Sequence, residues 1–333
     1  MAQADNCRNV LVTGATGFIG YNLVEALLHK GYVITCLVRD TSDTHALQKL
    51  SVRLLTGDLE DPSVLRKTNL SIQTVYHIAG AIKAANREQY FRVNQLGTRR
   101  LMEVIAETNP KLDRFIHVSS LAAAGPSING RGLTEEEEPH PISWYGESKL
   151  ASEQEVLRYA NTFPVTILRP STVYGPRDSE TLIIFRMIKH GCLFTPGKST
   201  RRFSLIHVND LTAAIIAVGE RNIPSGETFF LSRFETYTWE DVGRAIARAL
   251  GKPYRQIAFP KWIAVAAGFA GNARARVTNR PATITTQKVK ELLQPSWLCN
   301  SSKARTCFGF NPTIDLERGI KQTVRWYQDQ GWL

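Results

Sequence analysis

The sequence predicts an α/β protein: a doubly wound parallel sheet with a smaller, mostly helical lobe at its C-terminal end. Two observations carry this. Short β-rich runs alternate with longer helical patterns through the first half of the chain, the order expected of a parallel sheet covered on both faces. The runs themselves, such as Val10-Leu11-Val12 and Val33-Ile34-Thr35-Cys36-Leu37-Val38, lack polar alternation, as strands buried on both faces do. This reading places strands at Asn9–Thr13, Tyr32–Val38, Val52–Thr56, Thr74–His77, Arg114–Ser119 and Val165–Leu168. It places helices near Phe18–Lys30, Asp61–Leu70, Arg87–Thr108 and Ser143–Asn161. Past Pro176 the pattern loosens. A helix near Thr181–His190 leads to a turn at Thr195-Pro196-Gly197-Lys198, an apolar run at Phe203–Ile206 and a helix at Asp210–Glu220. Helices at Thr238–Leu250, Lys261–Ala270, Thr283–Leu293 and Ile314–Gln330 complete the chain. The expected division is a nucleotide domain over 1–177, to which 206–231 return, and a substrate lobe from 178–205 and 232–333. Such a lobe closes over the carboxyl edge of the sheet, where ligands of open α/β folds bind. The apolar piece Trp262–Ala270 is read as a core helix or a pocket wall in preference to a membrane-surface helix, because it is short.

Composition narrows the class. The 333 residues are 43% hydrophobic and 21% charged, ordinary globular values that exclude disordered, collagen-like and coiled-coil chains. No run approaches the ~20 apolar residues of a membrane span, and the first six residues lack a signal pattern. Cysteines at 7, 36, 192, 299 and 307 have no C-x-x-C spacing and read as reduced thiols of a cytoplasmic protein, with no metal site. An excess of 41 Lys and Arg over 30 Asp and Glu favours anionic partners. The local cluster Arg274, Arg276 and Arg280 lacks the interleaved aromatics of a nucleic-acid groove, so the excess reads as solvated surface plus contacts to ligand phosphates.

The first turn carries the strongest local signal. In Thr13-Gly14-Ala15-Thr16-Gly17-Phe18-Ile19-Gly20 a strand meets a helix through three glycines. Glycine permits the tight turn and lets backbone approach a pyrophosphate, and the helix N-terminus offers free N–H groups and partial positive charge. A dinucleotide site follows, and the architecture becomes Rossmann-type. Farther along, Tyr145 and Lys149 are four apart in a helical segment and share one face.

Together with Gly57-Asp58-Leu59, His77-Ile78-Ala79-Gly80, Val93-Asn94-Gln95-Leu96-Gly97-Thr98, Ser119-Ser120, the Leu168–Pro176 run and His207-Val208-Asn209-Asp210, these motifs resemble those of an extended short-chain dehydrogenase/reductase. The match runs over nearly the whole chain and is closest in pattern to dihydroflavonol-reductase-like and 3β-hydroxysteroid-dehydrogenase-like members. The resemblance implies a catalytic set of Ser120, Tyr145 and Lys149, with Asn94 bracing the active-site helix. Tyr145 is the expected acid/base, its pKa lowered by Lys149, which also holds the ribose hydroxyls, while Ser120 orients the substrate oxygen. Ser120 is selected over Ser119 because the family's serine lies five residues before the glycine at this loop, here Gly125. Implied cofactor contacts are Gly14, Thr16, Gly17, Phe18, Ile19, Gly20, Arg39, Asp58, Leu59, Ala79, Gly80, Pro170, Ser171 and Val173, besides Tyr145 and Lys149. Asp58 is expected at the adenine amino group and Leu59 over the ring.

At the end of the second strand, Val38-Arg39 stands where NAD-preferring members carry an acidic residue, so NADP is expected ahead of NAD, although Asp40 keeps NAD open. The expected activity is hydride transfer between a nicotinamide cofactor and a carbonyl or alcohol. A nucleotide-sugar epimerase is the alternative, and a non-catalytic NADP-binding sensor a second one. Dehydratases of the family place an Asp-Glu pair after the serine, whereas Leu121-Ala122-Ala123-Ala124 stands here and leans towards a less polar small-molecule substrate. Arg202 is a candidate anion contact, or else a salt-bridged surface arginine. Glu135–Glu138 are expected in a solvated loop, His207 in a structural hydrogen bond, and homodimerisation through the two long helices near 87–108 and 143–161.

Overall fold

Residues that alternate between two buried faces organise the molecule. Val10 and Val12 join one hydrophobic cluster while Leu11 between them joins another. Tyr76 and Ile116 divide from Val75 and Phe115 in the same way, which is why these strands show no polar alternation. The computed structural model describes residues 8–68, 70–128, 130–197, 201–278 and 281–333. Cys7, Lys198 and Arg280 lie outside the described residues, as do the first six and Asn69.

The first half contains β1 (Asn9–Thr13), α1 (Phe18–His29), β2 (Val33–Val38), β3 (Arg53–Thr56), α2 (Val64–Lys67) and β4 (Thr74–His77). It continues with α3 (Arg87–Phe91), α4 (Gly97–Thr108), β5 (Arg114–Val118), α5 (Leu121–Ala124), α6 (Trp144–Leu157) and β6 (Val165–Pro170). Then come β7 (Thr172–Tyr174), α7 (Leu182–Lys189), β8 (Cys192–Pro196), β9 (Arg202–His207), α8 (Val208–Glu220) and β10 (Glu227–Leu231). The remainder is β11 (Thr236–Thr238), α9 (Trp239–Leu250), β12 (Arg255–Phe259), α10 (Lys261–Thr278), α11 (Thr286–Leu292), β13 (Ser296–Trp297), α12 (Ser302–Phe308) and α13 (Leu316–Asp329).

Seven strands form one parallel sheet in the order β10-β6-β5-β4-β1-β2-β3. The order reverses between β1 and β4, which opens a crevice at their carboxyl ends. β10 returns to this sheet beside β6, whereas β9 forms a separate sheet with β7, β11 and β13, and β8 pairs with β12. A third core, with Phe185, Ile188, Leu205, Ile246, Ile320 and Tyr327, holds the C-terminal lobe.

Three expectations need correction. The single helix read over 87–108 is broken by a π-helical turn at Arg92–Leu96, which carries Asn94; such turns recur at functional sites. The helix read over 61–70 is only Val64–Lys67, because the Thr68 hydroxyl turns back to the Leu65 carbonyl (3.0 Å) and closes it. Finally, Trp262–Ala270 is not a core helix. It lies in α10, which buries the small Ala264, Gly268 and Ala275 and leaves Trp262, Ile263, Val265 and Phe269 exposed.

Cys36, Cys192, Cys299 and Cys307 are free thiols. Among the described residues no helix is long and apolar enough to cross a membrane, and no cluster of His, Cys, Asp and Glu could hold a metal ion.

Candidate active site

The β1–α1 turn is closed by contacts that admit no side chain. Gly14 has φ +73°, and a Cβ there would lie 2.6 Å from the Ala79 nitrogen. A Cβ on Gly20 would lie 2.1 Å from the Gly14 carbonyl oxygen. Gly17 caps α1 with no side-chain hydrogen bond, so the first amides of the helix keep their donors free, beside exposed Thr16 and half-buried Phe18 and Ile19. Thr13 ties this turn to the next strand. Its Oγ1 is 2.7 Å from His77 Nδ1 and accepts from the Ala79 amide (3.3 Å), which fixes Ala79-Gly80 against the loop. The Thr98 hydroxyl donates to the Asn94 carbonyl (2.6 Å), so it accepts from His77 Nε2, and the Thr13 hydroxyl donates to Nδ1. Burial holds this imidazole neutral, its pKa lowered to about 3.

At the end of β5 the neighbouring serines separate. The Ser119 hydroxyl donates to Glu153 Oε1, and Glu153 is also held bidentately by Arg169 (2.9 and 2.6 Å), all three buried. Ser120 is half-buried, caps α5 by accepting from the Ala122 amide (3.1 Å), and hydrogen-bonds Tyr145. The start of α6 can approach α5 because Gly146 has no Cβ: one there would lie 2.2 Å from the Ala122 carbonyl oxygen. Ser143 caps α6 and donates to Glu291 (2.5 Å), while Gln287 accepts from the Trp144 amide (3.1 Å), so α11 clamps the turn bearing Tyr145.

One turn further along α6, Lys149 is buried and its Nζ donates to the Val118 carbonyl (2.9 Å). Asn94 Nδ2 donates to the Ser148 hydroxyl (2.8 Å), which donates to the Tyr145 carbonyl (2.8 Å), so Asn94 is tied to the first turns of α6. The electrostatics differ from expectation. Burial pushes the Tyr145 phenol up to about 12, with Glu291 and Tyr90 adding to the rise and the hydrogen bond from Ser120 opposing it. Burial also brings Lys149 down to about 8, opposed by Glu153. Desolvation, and not the adjacent amine, dominates the phenol.

The other sequence-selected residues lie along the same carboxyl edge. Val38 is buried, whereas Arg39 and Asp40 are exposed and neither makes an ion pair among the described residues. Asp58 is exposed and accepts from the Glu60 amide (2.9 Å), and buried Leu59 packs where a Cβ on Gly97 would touch it. Pro170 and Ser171 are buried at the end of β6, and Val173 is half-buried in β7. The Ser171 hydroxyl is buried with no partner among the described residues.

Arg202 is an exposed arginine as expected but makes no salt bridge among the described residues: it donates from Nε and Nη2 to the Thr236 hydroxyl (3.1 and 2.6 Å). Its neighbour Arg201 is buried, donates to the Pro196 carbonyl (2.7 Å), and leaves Nη1 unpartnered among the described residues. Glu136 and Glu138 are exposed as expected of a solvated loop, but Glu135 is only partly solvated. It is half-buried and accepts from the Phe230 amide (2.7 Å), and burial raises its carboxyl pKa. His207 is structural, accepting from the Asn209 amide (3.3 Å) at the head of α8.

Sequence reasoning missed Glu153 and Arg169, although Tyr145, Lys149 and Glu153 stand at successive four-residue spacings on one helix face. It also missed Glu291 and Tyr90, whose ring centroid is 6.2 Å from that of Tyr145, and nothing local marks either. A glycine cradle, an orphaned hydroxyl at Ser171 and an unpaired Arg39 together fit a dinucleotide.

Comparison with known proteins agrees with this geometry. The model of the "NAD dependent epimerase/dehydratase family" matches residues 10–231. A "Ceramide reductase" of Caulobacter vibrioides is 34% identical over 99% of this chain and 98% of its own length. "Sterol demethylase protein B" of Methylococcus capsulatus is 29% identical over 97% of this chain and 99% of its own. The crystal structure of a UDP-glucose 4-epimerase from Thermotoga maritima, 21% identical, covers 97% of this chain and 99% of its own with a TM-score of 0.80, a likeness of fold. The chain therefore belongs to the NAD-dependent epimerase/dehydratase family and is an NAD(P)-dependent enzyme of the extended short-chain dehydrogenase/reductase type.

Proposed function

We propose that the protein is a reductase that uses NADPH to reduce a carbonyl of a largely apolar, lipid-like substrate, with Tyr145 as proton donor. The observation that carries this is the half-buried Tyr145, whose desolvated phenol is held in its acid form beside the Ser120 hydroxyl at the carboxyl edge of β5. NADPH supplies the hydride to the carbonyl carbon when bound. Ser120 donates a hydrogen bond to the substrate oxygen, and Tyr145 passes it a proton as negative charge develops. Lys149, one turn below, holds the ribose hydroxyls, and Asn94 holds the helix that carries both residues. Arg39, without a carboxylate partner among the described residues, would hold the 2′-phosphate that distinguishes NADPH from NADH. The alanines after Ser120 and the relatives named for ceramide and sterol chemistry favour an apolar substrate. We place the protein in the cytoplasm as a homodimer formed through α4 and α6, which size-exclusion chromatography with light scattering checks.

The test is NADPH consumption by the purified chain with long-chain ketones, ceramide-type lipids and nucleotide sugars. Tyr145→Phe is expected to abolish turnover and spare cofactor binding, and unchanged turnover would remove Tyr145 from its role. Arg39→Ser is expected to weaken NADPH binding at least ~10-fold, the loss of one charge-assisted contact, and to leave NADH unchanged. A nucleotide-sugar epimerase is favoured by one feature, the Nη1 of buried Arg201, which has no partner among the described residues and suits a diphosphate. Release of NAD from the denatured, freshly purified protein would select that reading.

A further inference from the structure

The α10 helix presents its bulk to water. Its small residues Ala264, Gly268 and Ala275 are the buried ones. A Cβ on Gly268 would lie 3.1 Å from the Thr286 backbone, and one on Gly271 would fall 1.8 Å from the Ile284 carbonyl oxygen. The helix is thus seated by its narrowest stripe on the 284–286 segment. Asn272 holds it there by donating to the Thr286 hydroxyl (2.7 Å) and accepting from the Thr286 amide (3.2 Å). This seating turns the large side chains outward: Trp262 is 68% and Phe269 64% exposed, and Ile263 and Val265 are exposed with them. Ile257 on β12 and Ile284 are exposed as well. Trp262, Val265 and Phe269 fall at i, i+3 and i+7 on one face of α10, and an exposed apolar face of this kind marks an interaction site.

Charge identifies the occupant. From Val242 to Lys290 the sequence holds ten Lys and Arg and no Asp or Glu, nearly the whole net charge of +11. Arg255, Lys261, Arg274, Arg276 and Lys290 are exposed, and none has a carboxylate partner among the described residues. A second copy of the chain would set two such cationic faces against each other. An anionic surface complements one.

We propose that this face docks on an anionic lipid bilayer, with Trp262, Ile263, Val265 and Phe269 entering the boundary between headgroups and acyl chains. The surrounding cations contact lipid phosphates, and the indole of Trp262 suits that depth. No described helix is long and apolar enough to cross the bilayer, so the contact is superficial. α11, on which α10 rests, also binds Ser143 through Glu291 at the turn bearing Tyr145. Docking therefore brings the bilayer next to the candidate site, a consequence that rests on the proposed reduction of a lipid, whereas the docking does not.

The test is flotation of the full chain with phosphatidylcholine vesicles, with and without phosphatidylglycerol. The wild type is expected to float with the anionic vesicles and to bind the neutral ones at least ~10-fold more weakly. Trp262→Ser with Phe269→Ser is expected to lower partition at least ~10-fold, with melting temperature and NADPH binding unchanged. Arg274→Glu with Arg276→Glu is expected to erase the preference for phosphatidylglycerol. Absence of flotation on anionic vesicles, or equal flotation of the apolar variant, would overturn the proposal. A wild-type dimer that the apolar variant converts to monomer would overturn it too, in favour of a self-interface. Turnover by wild type against Tyr145→Phe reads the reductase assignment separately.

Discussion

Replacing Glu153 by Gln tests the buried support beneath the candidate site. The carboxylate is 2.6 Å from Arg169 Nη2 and accepts from Ser119, and the two charged side chains are 3% and 7% exposed. At an effective dielectric constant of about 20 the pair attracts by ~6 kcal/mol, most of which offsets the desolvation of both ions. The glutamine variant keeps the volume and removes the charge, leaving the Arg169 guanidinium buried without compensation, a situation that costs about 3–5 kcal/mol. With ~2.1 cal/mol/K of unfolding entropy per residue over 333 residues, that is a fall in melting temperature of ~4–7 °C. Calorimetry and urea denaturation of the purified chain measure it. Glu153→Leu with Arg169→Met and Ser119→Ala removes all three polar partners and is expected to fall within ~2 kcal/mol of wild type. Because Glu153 raises the Lys149 pKa against burial, Glu153→Gln is also expected to move the amine's titration midpoint below about 8. A loss under ~1 kcal/mol, or a triple variant as unstable as the single one, would refute the claim that this carboxylate compensates a desolvated guanidinium.

Two further outcomes follow from the same packing. Gly20→Ala forces a Cβ to 2.1 Å from the Gly14 carbonyl, so α1 must move off β1; a loss of ~1–3 kcal/mol in denaturation is expected, with weakened dinucleotide binding measured by fluorescence titration. Acid is expected to destabilise the protein from pH ~6.5 downward, because the unfolded chain protonates its imidazole there. Buried His77 resists protonation until about 3, and His117 is also held well below its ordinary value. Through this window the unfolded state binds more protons, so stability falls by up to ~1.4 kcal/mol per pH unit for each histidine. Urea midpoints that stay flat between pH 6.5 and 4 would contradict it.

The parallel sheet was legible because strands buried on both faces repeat apolar residues without interruption, as at Val10–Val12, and five of the six strands placed from sequence end within a residue of their observed bounds. The sixth, β6, runs on to Pro170. The glycine turn was legible for a related reason: a backbone contact as close as that of Gly14 with Ala79 leaves room for one residue type only. What stayed hidden depends on partners distant in sequence. β12 is mostly exposed and is a strand only because β8 pairs with it, and β13 is two residues set against β9. The direction in which α10 faces was hidden too, since Trp262 and Phe269 look like core residues until the seating of Gly268 and Gly271 turns them outward. Neighbour-dependent electrostatics escaped in the same way: the amine four residues from Tyr145 is visible in the sequence, whereas the burial that outweighs it is not.

That burial bears on the direction of catalysis. For a phenol near 12, working as a base at neutral pH requires ~7 kcal/mol of stabilisation of its phenolate, five units at ~1.36 kcal/mol each. Working as an acid requires none, since the proton is already in place. Lys149, near 8 and so still mostly protonated at neutral pH, offers a charge for the phenolate left behind once that proton has gone. The two shifts therefore act in sequence and not in opposition. In the roles proposed for them, desolvation keeps Tyr145 loaded for donation, and the Lys149 ammonium one turn along α6 would stabilise the phenolate that donation creates. For the role proposed for Tyr145, this arrangement makes reduction the favoured direction at neutral pH, and it makes oxidation of the product alcohol a reaction whose rate climbs with alkaline pH.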